Sequence, residues 1–530
     1  MWYPVQNPLA NVYLSAIVAF IPLLWLLVGL GWFKIKAYWA AVISVLLAFV
    51  ISSTVWEMPL NFAFQAILEG ILTGLWPIAW VIIAAIYTYN VTVETGNMRV
   101  INDTLAKISP DRRVQALLIA FSFGGFLEAA AGFGTAVAIP ASLLAGIGFD
   151  PLFASVICLI ANTVPVAFGG IGIPVITLAQ VTGLSEEILS AYTAYQLVPF
   201  IVVLPFVLVV VMTKSLKGLK DVFDICLVSG ISFAAFQTLG AVYIGPEMAA
   251  IIGSLSSLLA VAIYARLKPI KDIWVFPGEK AKYEIASTKS MVQKEENMSA
   301  KKQFVAWTPY IVLLVLIMSV NLLPQFKFLG DIFTKVQVYF GPEAKPLVFQ
   351  WINTPGTIMF ISAIVGGLVQ KSSIKNLAVV LMKTVKQLAP TIAVVSSIVA
   401  MAKIMDYSGM VSVLAIALAN AAGKVYPFIS PLIGALGTFI TGSDTSSNIL
   451  FGALQKQTAL QINANPAWIA SANTVGATAG KMISPQSIAV AASATGLLGK
   501  EGEILKSTIP YCLIYALLLG VLVLAMESII

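Results

Sequence analysis

The 530-residue sequence contains no histidine. That absence removes His-ligated metal sites, Ser–His catalytic pairs and imidazole proton relays together. Charge is scarce as well: Asp, Glu, Lys and Arg make up 10% of the chain, against about 25% in soluble domains. Cysteine is limited to Cys158, Cys226 and Cys512, each inside an apolar run, which reads as packing and not as a disulfide framework. No cluster of metal-ligand residues and no nucleophile–base pair at helical spacing stands out. The sequence therefore reads as a non-enzyme without metal or cofactor. The net charge of +7 lies in loops between apolar runs, so it does not signal nucleic-acid binding.

What fills the chain is apolar: 59% of residues are hydrophobic. Runs long enough to cross a bilayer, which takes about 20 residues, recur from end to end. The expected class is an all-α polytopic membrane protein, because only helices or closed barrels satisfy their backbone in lipid. About twelve crossings are expected. The first apolar run starts near residue 11 with no Lys or Arg before it, so it reads as a retained span and not as a signal peptide. Two Gly-rich stretches with polar centres, 114–148 and 426–460, do not fit as crossings. With both termini outside, most Lys and Arg fall on the cytoplasmic side, and five (Lys327, Lys335, Lys345, Lys403, Lys424) fall outside. This bias holds only if both stretches enter and leave on one face, as re-entrant hairpins. The polar stretch 268–302 is then a cytoplasmic linker.

The halves resemble each other. "ANTVPVAFGGIGIP" (161–174) matches "ANTVGATAGKMISP" (472–485), with Gly169/Gly480 and Pro174/Pro485 in register. "VETGNM", ending at Met98, faces "DYSGM", ending at Met410. The expected organisation is an N-terminal repeat 1–213 with hairpin 114–148 and broken helix 151–180. Connecting helices and the linker follow at 214–306. An inverted repeat 307–530 then carries hairpin 426–460 and broken helix 466–495. Inverted repeats with interrupted helices are a signature of secondary transporters whose site lies near the midplane. Segments 95–113 and 410–424 read as paired arms linking a scaffold to a mobile domain.

The polar motifs fall at these interruptions. "FITGSDTSSN" (439–448) places Ser443, Asp444, Thr445, Ser446 and Asn448 in apolar surroundings. Such residues cap helices, and a helix N-terminus inside a membrane favours an anion. Thr135 is a candidate cap in the first hairpin. Asn162, Thr163, Asn473 and Thr474 sit mid-span, where both ANTV helices are expected to break. Glu128, Asp444 and Lys481 are isolated charges in apolar runs, costly there and functional by default. Lys481 is the natural counter-ion for an anionic substrate, and Glu128 or Asp444 the candidate proton carrier. A structural Asp444–Lys481 or Glu128–Lys481 salt bridge is the competing reading. Glu69, close to Pro77, reads as a local hydrogen-bonding residue outside the site.

"FLEAAAGFGTAVAIPASLL", "ANTVPVAFGGIGIPV", "TGSDTSSN" and "NTVGATAGKMISPQSIAVA" together resemble the L-lactate permease family over essentially the whole chain. The resemblance implies a plasma-membrane symporter of bacterial type that takes up L-lactate with a proton, and also glycolate and D-lactate. It also implies an elevator-type architecture. Lactate joins a carboxylate to a neighbouring hydroxyl. Lys481 and hairpin N–H groups would hold the carboxylate, with Ser443, Thr445, Ser446, Asn473 or Gln486 near the hydroxyl. The alternative is a cation–proton antiporter of similar architecture, in which Asp444 and Lys481 exchange Na⁺ and H⁺. The implied partners are a small carboxylate, a proton and the bilayer.

Overall fold

Apolar runs in lipid fold as helices because each backbone N–H and C=O must find its partner within the segment. The structure, a computed structural model, describes all residues except 1, 6, 32, 34, 107, 131, 133, 134, 271, 277–298, 323, 343, 345, 353, 498 and 499. Most of the expected linker 268–302 thus lies outside the described residues. Among those described, nine helices are long and apolar enough to cross a membrane, or ten if one bent pair forms a single span. Several expected crossings are shorter than that. Val12–Leu26 and Gly356–Val369 are apolar helices below span length. The run expected to cross at 347–369 begins instead as a strand. Leu347–Gln350 pairs antiparallel with Phe333–Val336, the one sheet among the described residues. Helix resumes at Pro355, whose fixed φ suits a first helical turn.

The helices pack in two sets. One set, here the scaffold, joins Val12–Gly31, Ala37–Thr54, Leu60–Thr73, Trp80–Glu94, Ala300–Leu322, Pro355–Val369 and Ile374–Ser408. Gly70 and Gly74 allow close approach here: a Cβ on either would collide with the backbone of Ala400 or Ser396. The second set, here the core, holds Arg112–Thr213, Phe223–Leu267 and Tyr426–Glu527. Interhelical bonds such as Asn90–Thr384 and Trp80–Thr357 stay within the scaffold. Gln196–Trp468 and Lys456–Thr182 stay within the core. Two short helices, Asn97–Ala106 and Met410–Ala422, lie against both sets. The first buries Met98, Val100 and Ile101 against Phe123 and Phe126 of the core and Ala306 and Tyr310 of the scaffold. The second packs on Val12–Gly31 and on Asp444–Gln461.

Outward-facing side chains of the spans are apolar. Leu513, Ile514, Leu517, Leu518 and Val521 on the last span are exposed. Such a continuous apolar belt is what lipid contact requires, and in water it would be an interaction patch.

Candidate functional site

Both Gly-rich stretches fold as helical hairpins. The second runs Tyr426–Thr441, turns at Gly442 and Ser443, and returns as Asp444–Gln461. Gly442 takes a left-handed φ of +74°, and its N–H reaches Thr438 O at 2.8 Å. This is the αL helix stop that glycine serves best. Ser443 then caps the return helix by accepting from Ser446 N at 3.3 Å. The polar residues of TGSDTSSN are thus a helix stop followed by a helix start. Any side chain at Gly442 would overlap Gln486 Oε1, so the turn is pressed against the second broken span. The first hairpin descends through Arg112–Ala130 and returns as Thr135–Gly146. In its turn, the backbone of Gly132 lies against Gly170.

The broken spans differ from each other. In the first, helix Pro151–Ala161 ends at Asn162 and resumes at Gly169–Thr182 with a bend of 62°. Pro165 explains the stop, since it lacks an N–H and disfavours helix at the residue before it. Gly170, Ile171 and Gly172 all take positive φ across the kink. In the second ANTV segment the position of Pro165 is held by Gly476, and the helix Pro466–Lys481 runs straight through Asn473 and Thr474. The expected break at Asn473–Thr474 is therefore corrected. The interruption falls at Met482–Ser484, where Ser484 caps a new helix starting at Pro485. Gly476 and Gly480 keep the helix because hairpin backbone needs their space: a Cβ on them would overlap Pro431 O and Ala435 O.

The two hairpin turns and two breaks enclose a cavity of ≈ 350 Å³. Glu128, Ser443, Asp444, Thr445, Ser446, Lys481 and Gln486 line it, beside Gly132, Gly169 and Gly170. Glu128 and Asp444 are each 3% exposed and Lys481 8%. Lys481 is close enough to act electrostatically on both carboxylates. It is not held in a hydrogen-bonded salt bridge with Asp444, however. Its Nζ donates to Gly442 O at 2.9 Å, and neither Asp444 oxygen has a hydrogen-bond partner. Glu128 packs on Gly169, and its Oε2 is also without a partner. Lys481 ends its helix, whose C-terminal carbonyls favour a cation. Asp444 begins one, whose N–H groups favour an anion.

Five of the sequence candidates do not line the cavity. Asn448 Oδ1 accepts from Asn473 Nδ2 at 2.9 Å and Thr474 Oγ1 at 3.0 Å, while its Nδ2 donates to Pro174 O at 3.0 Å. This buried node ties the second hairpin to both broken spans. Asn448→Ala would leave three buried polar partners short, at about 1–3 kcal/mol each. We expect a clearly lowered melting temperature in detergent; an unchanged one would mean the node is dispensable. Thr163 turns its hydroxyl to Ile160 O at 2.8 Å. Asn162 sits beside Glu128, with neither amide atom hydrogen-bonded. Glu69 is outside the cavity, paired with Lys403 at 3.0 Å and accepting from Tyr407 at 2.6 Å.

The opposite cavity wall comes from the scaffold: Lys36, Tyr38, Ile82, Pro390, Thr391, Val394 and Val395. Sequence reasoning missed all of these. Pro390, inside the span Ile374–Ser408, is the one visible trace, because a mid-span proline frees a carbonyl and bends the helix.

A family model for L-lactate permease matches residues 15–530. The chain belongs to the L-lactate permease family. An L-lactate permease of Streptococcus iniae is 42% identical, covering 86% of this chain and 93% of that one. The glycolate permease GlcA of Escherichia coli (strain K12) is 39% identical, covering 99% and 97%. The L-lactate permease of the same strain is 37% identical, covering 98% and 97%. Family membership makes the chain a permease and not an enzyme, with a set of apolar helices suited to an integral membrane protein. Among solved structures, MtrF of Neisseria gonorrhoeae shares the fold at a TM-score of 0.52 and 11% identity, covering 94% of this chain and 96% of that one.

Proposed function

We propose that this permease is a secondary active symporter that takes up L-lactate and related 2-hydroxymonocarboxylates, such as glycolate and D-lactate, with a proton across the plasma membrane. The observation that carries the reading is the single cavity lined by Lys481, Asp444 and Glu128 together. A buried lysine and two buried carboxylates suit a monoanion arriving with a proton: the amine meets the anion, and a carboxylate takes the proton. The family and the named lactate and glycolate permeases point to the same substrate class.

The motion is of elevator type, with the core carrying the site past the scaffold. Three features support this. The cavity has one wall from each set of helices, the arms join the sets, and the polar nodes lie inside one set or the other. Cavities of ≈ 500 and ≈ 650 Å³, both lined by Trp76, Pro77 and Gln180, follow the same interface away from the site. The two ANTV segments and two hairpins belong to inverted repeats. With both termini outside, the cavity would open beside Lys36 and Tyr38 toward the cytoplasm.

Proteoliposomes test the function. Labelled L-lactate should accumulate under an inward pH gradient without Na⁺ and collapse with a protonophore. Uptake that ignores the pH gradient would refute the coupling, and Na⁺/H⁺ exchange without lactate would restore the antiporter reading. For orientation, a single cysteine at Ile285 should react with an impermeant maleimide only in opened cells, and one at Ser185 in intact cells. The reverse pattern would invert the topology.

A further inference from the structure

The cavity wall has acceptors to spare. Both oxygens of Asp444 and Oε2 of Glu128 are buried without a hydrogen-bond partner. The hydroxyl of Thr441 is committed to Gly437 O at 2.8 Å and Ser443 O at 3.1 Å. Lys481 has one bond to Gly442 O and, as an ammonium, two further donors. A ligand that fills this cavity must therefore bring an acceptor for Lys481 and a donor for a carboxylate. Buried acceptors left unmatched cost about 1–3 kcal/mol, more when charged. An unsubstituted carboxylate anion or a 2-keto acid brings acceptors alone. A 2-hydroxy acid brings both, on adjacent carbons.

The donor must then be met next to the cation. Lys481 is anchored on the carbonyl of Gly442, and Asp444 stands two residues further along the same turn. Glu128 approaches from the other hairpin, packed on Gly169 and beside Asn162. Asp444 also opens its helix, behind the Ser443 cap. We propose that Asp444 is the specificity-determining residue, accepting a hydrogen bond from the substrate's 2-hydroxyl while Lys481 holds the substrate carboxylate. Glu128 is left for the proton. This inference rests on the reading of the cavity as a 2-hydroxy-acid site.

The test is substitution by a side chain of equal shape that can also donate. The full-length protein is purified in detergent, and pyruvate and L-lactate compete against labelled L-lactate. The parent should favour lactate over pyruvate by at least about tenfold, the equivalent of ~1.4 kcal/mol. Asp444→Asn should shrink that ratio at least about tenfold, because the new amide can donate to the keto oxygen. Glu128→Gln should affect both acids alike. An unchanged ratio in Asp444→Asn overturns the proposal, as does a ratio that shifts only in Glu128→Gln. If Asp444→Asn fails to fold by gel filtration, Asp444→Ser repeats the measurement, and failure of both assigns Asp444 to structure and overturns it too. A parent that binds no lactate would instead sink the underlying site reading.

Discussion

Lys481→Ala should lose lactate binding by about a hundredfold to a thousandfold while the protein still folds. The amine is the buried cation of the cavity, which Glu128 and Asp444 also line. Removing one partner of a desolvated charge pair typically costs ~3–5 kcal/mol, and each ~1.4 kcal/mol is tenfold in affinity. Folding should survive because the amine makes one hydrogen bond, to Gly442 O in the hairpin turn. Lys481→Arg should recover part of the affinity, since a planar guanidinium keeps the charge but needs more room than a point-like ammonium. Calorimetry with L-lactate decides this. Parent-like affinity in the alanine variant would make Lys481 a structural charge and move the substrate elsewhere.

The second large effect concerns coupling. Glu128→Gln should abolish uphill accumulation of lactate under a pH gradient while leaving exchange of internal for external lactate. Exchange requires only that the loaded core cross and return. Net uptake requires the empty core to return after releasing its proton, and an amide has none to release. Accumulation and exchange are measured on the same proteoliposomes. Full accumulation in Glu128→Gln, and in Asp444→Asn as well, would mean that neither carboxylate carries the proton and that it travels on the substrate. Loss of exchange together with accumulation would point to binding and not to coupling.

Much of this site was legible in the sequence because membranes make polar residues conspicuous. Glu128, Asp444 and Lys481 stood out as isolated charges, and all three line one cavity. The hairpins were expected from glycine-rich stretches with polar centres, and both fold as helix pairs, although Arg112–Ala130 and Met410–Thr441, which reach into them, are long and apolar enough to cross a membrane. What misled was the assumption that equal motifs break equally. Asn162 does end a helix, whereas Asn473 stays inside one, because the difference is made three residues on, by Pro165 against Gly476. Polarity also failed to separate ligand-facing groups from structural ones. Asn448, Asn473 and Thr474 satisfy one another behind the cavity wall, and only three-dimensional pairing reveals that. The scaffold wall left almost no sign, since Tyr38, Ile82 and Val394 are ordinary span residues until another helix packs opposite them.

Asn448 has a thermodynamic consequence. It ties the second hairpin to Pro174 in the first broken span and to Asn473 and Thr474 in the second, so the hairpin cannot open alone without breaking three buried hydrogen bonds. On the proposed motion the core's share of the site, with Glu128, Asp444 and Lys481, then crosses the bilayer as one piece, and the scaffold wall is what changes between the faces. Direction would come from the substrate and proton gradients together. A cell that accumulates the hydroxy acid faster than it consumes it would export it through the same protein, running the cycle backwards and carrying protons out with the waste.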